Sequence, residues 1–410
     1  MSDCCAAPGL LPFEQALANM LSQISPITET LTLPIEQALH YVLAQDIASP
    51  LNVPPHDNSA MDGYAFAIES LLASKTLTLV GRSMAGSPFQ GKCQLGECIR
   101  IMTGAKMPDC CDSVEMQENT STDGEKVTFS QDKSFGSHVR KTGEDIKINQ
   151  QVLSSSHKLT AVDIGVLASL GVVDVIVYRK LKVALIATGD ELKLPGHTLR
   201  VGDIYESNRF VLAAMLNTLN VDVIDFGIIA DDFYAIKAAF VSADKQADAV
   251  ISSGGVSVGD ADYTKTVLDD LGEISFWKIA MKPGKPFAFG KLVNSVFFGL
   301  PGNPVSALVT FHQLALVALT KMQNAQPLKR THLMVKCTTA LRKSPGRMDF
   351  QRGVLSVSDT GENIVSSTGS QGSGILSSLA RANCFIILPS EQDKVTAGEQ
   401  VTIQLFDHFL

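Results

Sequence analysis

The chain has 410 residues, 45% of them hydrophobic and 19% charged, with a formal net charge of -8. That composition belongs to a folded protein too long for a single hydrophobic core, so about two to four domains are expected. The acidic balance argues against a nucleic-acid partner, and the N-terminal stretch MSDCCAAPGLLPFEQ lacks the basic and apolar regions of an export signal, so a cytoplasmic protein with no membrane partner is expected.

Taken in order, the apolar spacing predicts amphipathic helices over Phe13–Ile24 and Ile35–Leu43, with His40 in the second. From Leu51 the chain is rich in Pro, Asn and Asp, and short strands are expected at Thr76–Val80, Cys98–Met102, Val114–Met116 and Lys126–Phe129. A helix over Thr160–Leu170 and a strand over Asp174–Val177 follow. From Lys182 the alternation is βαβ: strands at Val183–Ala187, Val221–Ile224 and Ala249–Ile251, with helices at Asn208–Leu219 and Asp232–Lys245 between them. A helix at Thr264–Leu271, strands at Phe276–Ala280 and Val296–Gly299 and a helix from Pro304 to Leu319 complete that set. Strand-like runs at Leu333–Val335, Gly353–Val357, Cys384–Leu388 and Val401–Leu405 end the chain.

The expected fold is α/β multidomain: a three-layer αβα domain on a mostly parallel sheet (181–326), a discontinuous helical/β N-terminal domain (1–50 and 146–180), an inserted β domain (51–145) and a small C-terminal β barrel (327–410). Of the eight cysteines, Cys4, Cys5, Cys93, Cys98, Cys110, Cys111, Cys337 and Cys384, none forms a C-x-x-C pair, so reduced structural thiols are expected and a zinc site is not. In parallel sheets ligands bind beyond the carboxyl ends of the strands, and four notable loops fall there: TGDEL, GIIADD, SSGGVSVGDAD and LPGNP.

The third of these loops follows a strand and precedes a helix. Its Gly254, Gly255 and Gly259 suit backbone N–H binding of an anion, while Asp260 and Asp262 would repel a bare phosphate unless a divalent cation such as Mg2+ bridged them. A strand-to-helix turn with exposed acids fits the loop equally well on its own. In Gly302-Asn303-Pro304 an N-cap residue and a first-turn proline open a helix whose free N–H groups suit an anion. Upstream, Lys278, Lys282 and Lys285 lie in a proline-stiffened segment that favours phosphate or oxyanion binding. Asp190, Glu191, Asp231, Asp232, Asp260 and Asp262 could approach one another around Mg2+, although each alone is as readily a turn or cap residue.

SSGGVSVGDADYT, WKIAMKPGKPFAFG, GLPGNPVS and DNSAMDGYA, with IRIMTGA, GEDI, ATGDEL and SPGRMDFQRG, closely resemble the molybdopterin molybdenumtransferase (MoeA) family, which is related to the E domain of gephyrin. The resemblance covers nearly the whole chain. It implies an elongated homodimer whose cleft forms between the α/β domain of one subunit and the inserted β domain of the other. It also implies Mg2+-dependent insertion of molybdate into adenylylated molybdopterin, with release of AMP and formation of molybdenum cofactor. By motif, the catalytic positions it implies are Asp62, Glu191, Asp231, Asp262, Lys278 and Lys282, with Glu191 and Asp262 as Mg2+ ligands. The binding positions it implies are Thr103, Arg140, Asp145, Gly254, Gly255, Ser257, Pro301 and Pro304, with Lys285, Arg347 and Ser373 holding the oxyanion. The implied partners are the molybdopterin adenylyltransferase and the recipient molybdoenzymes. The segment from His138 to Thr142 is less arginine-rich than the bacterial pattern. Two rival readings stay open at this point: the adenylyltransferase acting one step earlier, whose fold is similar to this α/β domain, and a gephyrin-like scaffold.

Overall fold

A computed structural model of the chain describes residues 9–255 and 263–410. Cys4, Cys5, Ser257, Gly259, Asp260 and Asp262 therefore lie outside the described residues. The chain divides into two compact units, one of Met1–Leu31, His40–Val42 and Val177–Leu410, the other of Thr32–Leu39 and Leu43–Ile176.

The first unit is built on a six-stranded sheet. Its elements in chain order are β1 (Lys182–Thr188), α1 (Asn208–Leu219), β2 (Asp222–Ile229), α2 (Phe233–Gln246), β3 (Ala249–Ser253), α3 (Tyr263–Leu271), β4 (Glu273–Lys278), β5 (Pro286–Lys291), β6 (Val296–Leu300) and α4 (Pro304–Met322). The strand order is β2-β1-β3-β6-β5-β4, parallel from β2 to β6, with β5 antiparallel to both its neighbours.

Successive side chains of β1 point to opposite faces, and both faces are covered. Val183 and Leu185 pack with α1, α4 and the N-terminal helix Phe13–Ser22, while Ala184 and Ile186 pack with Ile236 and Phe240 of α2 and Val267 and Leu268 of α3. This is the three-layer arrangement that the alternation predicts. Helix α4 is long and apolar enough to cross a membrane, yet most of it is buried in this core. Its middle, Phe311–Ala315, widens into a π-helical turn. Strand β5 was not foreseen: PFAFGK opens on proline and is buried on both sides, so it shows neither strand punctuation nor alternation.

Five further strands of the same unit close into a barrel. Met348–Val357 pairs with Asn363–Ser367, then come His332–Cys337, Gln400–Leu405 and Cys384–Leu388, which returns to Met348–Val357. Met281–Lys282 joins the barrel by pairing in parallel with Met348–Asp349.

The second unit carries a six-stranded sheet in the order Ser113–Met116, Gly63–Phe66, Glu97–Ile101, Thr76–Ser83, Lys126–Phe129, Thr120–Asp123. Helix Ala161–Ser169 begins on a capping box, in which Thr160 Oγ1 accepts from the Asp163 N–H at 3.3 Å and the Asp163 carboxylate accepts from the Thr160 N–H at 2.8 Å.

Two expectations are corrected. The second N-terminal helix does not form: only a 3-10 turn, Ile35–Gln37, is present, and His40 takes a left-handed backbone with φ 66° that a helix cannot contain. Its periodic apolar residues instead serve a turn whose Ile35 N–H donates to the Val173 carbonyl. Cys93 and Cys110 are not reduced thiols; they form a disulfide, which the separation of 17 residues concealed.

Candidate active site

The loops at the carboxyl ends of β1, β2, β3 and β6 enclose a cavity of about 730 Å3. Glu191, Asp231, Gly254, Gly255, Pro301 and Pro304 all line it, so six of the expected residues meet there. The two glycines are required by their backbone. Gly254 has φ 93° and Gly255 φ 66°, and a Cβ on either would come within 2.7 Å of the Thr188 carbonyl oxygen or 2.3 Å of Thr264 Oγ1. The close approach of this turn to β1 leaves its backbone facing the cavity.

The wall also contains residues that were not singled out. Asn208, at the start of α1, donates through Nδ2 to Ser253 Oγ and to the Gly302 carbonyl, 2.8 Å each. Glu206 is 3% exposed; its Oε1 accepts from the Arg209 N–H at 2.7 Å and its Oε2 has no hydrogen-bond partner. Burial pushes the Glu206 carboxyl up, with Asp225 adding to it, against the N–H groups of Arg209 and Asn208 and the Arg209 charge. Arg209 in turn pairs with Asp225.

At the PGNP turn Asn303 is the N-cap, and its side chain makes no capping bond. The first free N–H of the helix, that of Val305, donates to the Ser373 carbonyl at 3.0 Å. Part of the anion-binding capacity expected there is thus already used by the barrel loop, and Ser373 reaches the site through its backbone.

None of the three lysines lines the cavity. Lys278 ends β4 and is exposed, and Lys285 is exposed with its carbonyl accepting from the Ile279 N–H. Lys282 Nζ stands 3.6 Å from Asp349 Oδ2, whose side chain is 2% exposed. Lys343 and Arg347 belong to the same charged cluster. Burial first, then the charges of Lys282 and Arg347, hold the Lys343 ammonium below its usual range, against the pull of Asp349 and Glu391. Lys343 gave no signal in the sequence because its partners Asp349, Glu391, Lys282 and Arg347 come from separate segments.

In the second unit, Asp62 Oδ1 accepts from the Thr103 N–H at 2.7 Å and from Thr103 Oγ1 at 2.8 Å. These two bonds hold the Asp62 carboxyl below its ordinary range, with a smaller contribution from Arg100. Arg140 and Asp145 line a separate cavity of about 500 Å3 with Val53, Pro54, Asn58 and Glu144.

Residues 11–171 match the MoeA N-terminal region (domain I and II), residues 184–321 a probable molybdopterin binding domain, and residues 334–406 the MoeA C-terminal region (domain IV). Over 403 residues the chain is 47% identical to a molybdopterin molybdenumtransferase of Haemophilus influenzae, covering 98% of this chain and 100% of that protein. The chain belongs to the molybdopterin molybdenumtransferase (MoeA) family. A molybdopterin biosynthesis moeA protein from Pyrococcus horikoshii OT3 superposes with a TM-score of 0.84 at 29% identity, covering 97% of this chain and 100% of that one. Gephyrin of Dictyostelium discoideum is 31% identical over 446 residues, which span 96% of this chain and 62% of gephyrin. The family consists of transferases of molybdenum cofactor biosynthesis, and its domain architecture accounts for the separate αβα and barrel layers.

The resemblance implies Mg2+, and the cavity can be checked for the oxygen donors that ion takes. Glu191 folds over Gly189, at φ 143°, where a Cβ would come within 2.7 Å of Glu191 Oε2; the absent side chain leaves room for that carboxylate. Asp231 lines the same cavity, and its N–H donates to Asp190 Oδ1 at 3.0 Å. Mg2+ takes one or two protein carboxylates and completes its shell with water and substrate phosphate, and Glu191 and Asp231 are carboxylates on one cavity wall.

Proposed function

We propose that the protein inserts molybdate into adenylylated molybdopterin in a Mg2+-dependent reaction that releases AMP and yields molybdenum cofactor. The observation that carries this reading is the convergence of Glu191, Asp231, the Gly254-Gly255 turn and the PGNP turn on one cavity. Glu191 and Asp231, with Asp262, would hold Mg2+, which when bound supplies positive charge to the phosphoanhydride. The Gly254-Gly255 turn would offer N–H donors to phosphate, Ser257 would act in the same binding role, and Pro301 and Pro304 line the same cavity.

Lys282 and Arg347, together with Lys343, supply the concentrated positive charge that a molybdate oxyanion requires, and Lys278 and Lys285 extend it. Asp62 and Thr103 act as a hydrogen-bonded pair, and Arg140 with Asp145 as an ion-binding edge. The four-part domain division, the homodimer, the cytoplasmic setting, and contact with the adenylyltransferase and recipient molybdoenzymes belong to the same reading.

Purified protein supplied with adenylylated molybdopterin, molybdate and Mg2+ should release AMP, and Glu191→Ala and Asp231→Ala should reduce that release at least about 100-fold, the loss typical of an electrostatic catalytic group. Retention of wild-type rates by both variants, or formation of adenylylated product from ATP and unmodified molybdopterin, overturns it. For the dimer, mixing inactive Asp62→Ala and Glu191→Ala proteins should restore part of the activity; no restoration on subunit exchange argues against shared sites.

A further inference from the structure

In the second unit three sulfur atoms come together outside every residue assigned to the reaction. The Sγ atoms of Cys93, Cys110 and Cys111 lie within 4.8 Å of one another, each on a half-buried residue. Cys93 and Cys110 are joined as a disulfide, and Cys110 Sγ is 3.9 Å from Cys111 Sγ. Two loops supply them. Cys93 stands a few residues ahead of strand Glu97–Ile101, and the Cys110-Cys111 pair sits on a turn closed by the Cys111 N–H donating to the Pro108 carbonyl at 2.9 Å, just before strand Ser113–Met116. Both strands flank Gly63–Phe66 in the sheet, so the sheet itself fixes the two loops side by side.

The geometry points to a three-thiolate site for a soft d10 cation, Zn2+ in the first instance, that is available when the disulfide is reduced. A Zn–S bond of about 2.3 Å at the tetrahedral angle sets neighbouring sulfurs about 3.8 Å apart, close to the 3.9 Å between Cys110 and Cys111. Three protein ligands leave a fourth position open to water, and the half-buried sulfurs give the ion a path in. Asp112 follows the vicinal pair and adds negative charge, held by the Ile68 N–H at 3.0 Å and Ser113 Oγ at 2.7 Å, while Asp109 before it pairs with Lys106 at 3.3 Å. A disulfide and a metal site are alternatives for the same atoms. A dithiol reductant opens the Cys93–Cys110 bond by exchange, giving two thiols while the reductant becomes the disulfide; uptake of the cation by all three cysteines then releases three protons.

The test uses the full chain, reduced with a phosphine and titrated with Co2+ alone under argon. Thiolate-to-cobalt charge-transfer absorption should saturate at one equivalent and vanish on addition of Zn2+. Cys93→Ser and Cys111→Ser should lose it, a Cys4→Ser/Cys5→Ser double variant should keep it, and the unreduced protein should gain it only on reduction. Absence of the band in the reduced chain, or its survival in folded Cys111→Ser, overturns the site. Should either variant fail to fold, alkylation mass spectrometry of the native reduced chain decides: Zn2+ should slow labelling of all three cysteines at least tenfold, and equal labelling with and without Zn2+ refutes the proposal.

Discussion

Asn208 Nδ2 donates to the Gly302 carbonyl at 2.8 Å, tying the first turn of α1 to the turn that opens α4. The same nitrogen reaches Ser253 Oγ at the end of β3, so one amide links three elements of the cavity wall. Asn208→Ala should cost about 1–2 kcal/mol, because Ser253 is buried and loses its partner. It should also lower kcat/KM for AMP release by about tenfold through loosened positioning. Urea unfolding and steady-state kinetics on the same protein separate the two effects.

The Gly254-Gly255 turn permits a sharper prediction. Gly255→Ala places a Cβ 2.3 Å from Thr264 Oγ1, so that side chain must shift, and it puts an L residue on a backbone with φ 66°, a strain that no shift of the neighbour removes. A loss of about 1–3 kcal/mol is expected. Gly302→Ala, whose Cβ would come no closer than 4.0 Å to the Gly254 Cα, should be far milder. Thermal midpoints of the two variants compared side by side check this, and equal losses would contradict it.

These positions show which parts of the molecule were legible in the sequence. Helix α1 was delimited by apolar periodicity alone, and the loops after β1, β2, β3 and β6 were placed correctly because strand ends in a parallel sheet announce themselves by composition. Ile35–Leu43 has the same periodicity but forms no helix, since its Ile35 and Leu43 N–H groups donate to the distant Val173 and His157 carbonyls instead. Glu206, Asn208 and Lys343 escaped notice for a related reason. A helix-start Asn and a lone buried Glu look ordinary until the fold brings Ser253, Gly302 and Arg209 to them. The basic segment reads from sequence as a proline-stiffened oxyanion-binding stretch, but its pairing partner does not: Met281–Lys282 lies in parallel beside Met348–Asp349, more than sixty residues away.

That pairing makes Asp349 a positioning residue for Lys282. Its carboxylate is buried, stands 3.6 Å from the half-exposed ammonium and accepts from Gln351 Nε2 at 3.3 Å. Asp349→Asn keeps the shape and removes the charge, leaving Lys282, Lys343 and Arg347 to repel one another. The expected outcome is a several-fold rise in KM for molybdate with a smaller change in kcat, together with destabilisation of about 1–2 kcal/mol. Lys282→Ala should act mainly on molybdate use. Saturation curves in molybdate for the two variants check the division; an unchanged KM in Asp349→Asn would detach this cluster from the oxyanion.

The last prediction concerns pH. His312 is fully buried in the π-helical turn of α4, with Nε2 3.1 Å from Asp407 Oδ2 and Nδ1 3.2 Å from Gln313 Nε2. A neutral imidazole carrying its proton on Nε2 satisfies both contacts, donating to Asp407 and accepting from Gln313. Arg330 closes the group, donating through Nη1 to Gln313 Oε1 at 2.6 Å and through Nη2 to the His312 carbonyl. Burial, with the Arg330 charge behind it, holds His312 below its ordinary value despite the opposing pull of Asp407. In the unfolded chain the same imidazole takes up a proton near about pH 6.5. Between that value and the lower folded one, the unfolded state binds more protons than the native state, so stability falls as pH falls through this window. Asp407 adds a second loss at lower pH: burial raises its carboxyl, but the bond from His312 and the neighbouring charges outweigh that and hold it depressed, so its contribution is present above about pH 3.9 and disappears as acid protonates it. Urea midpoints should therefore decline from about pH 7.5 to about pH 5.5 in the wild type, and His312→Gln, which cannot titrate, should flatten that decline. An equally steep decline in His312→Gln would assign the pH dependence to other groups.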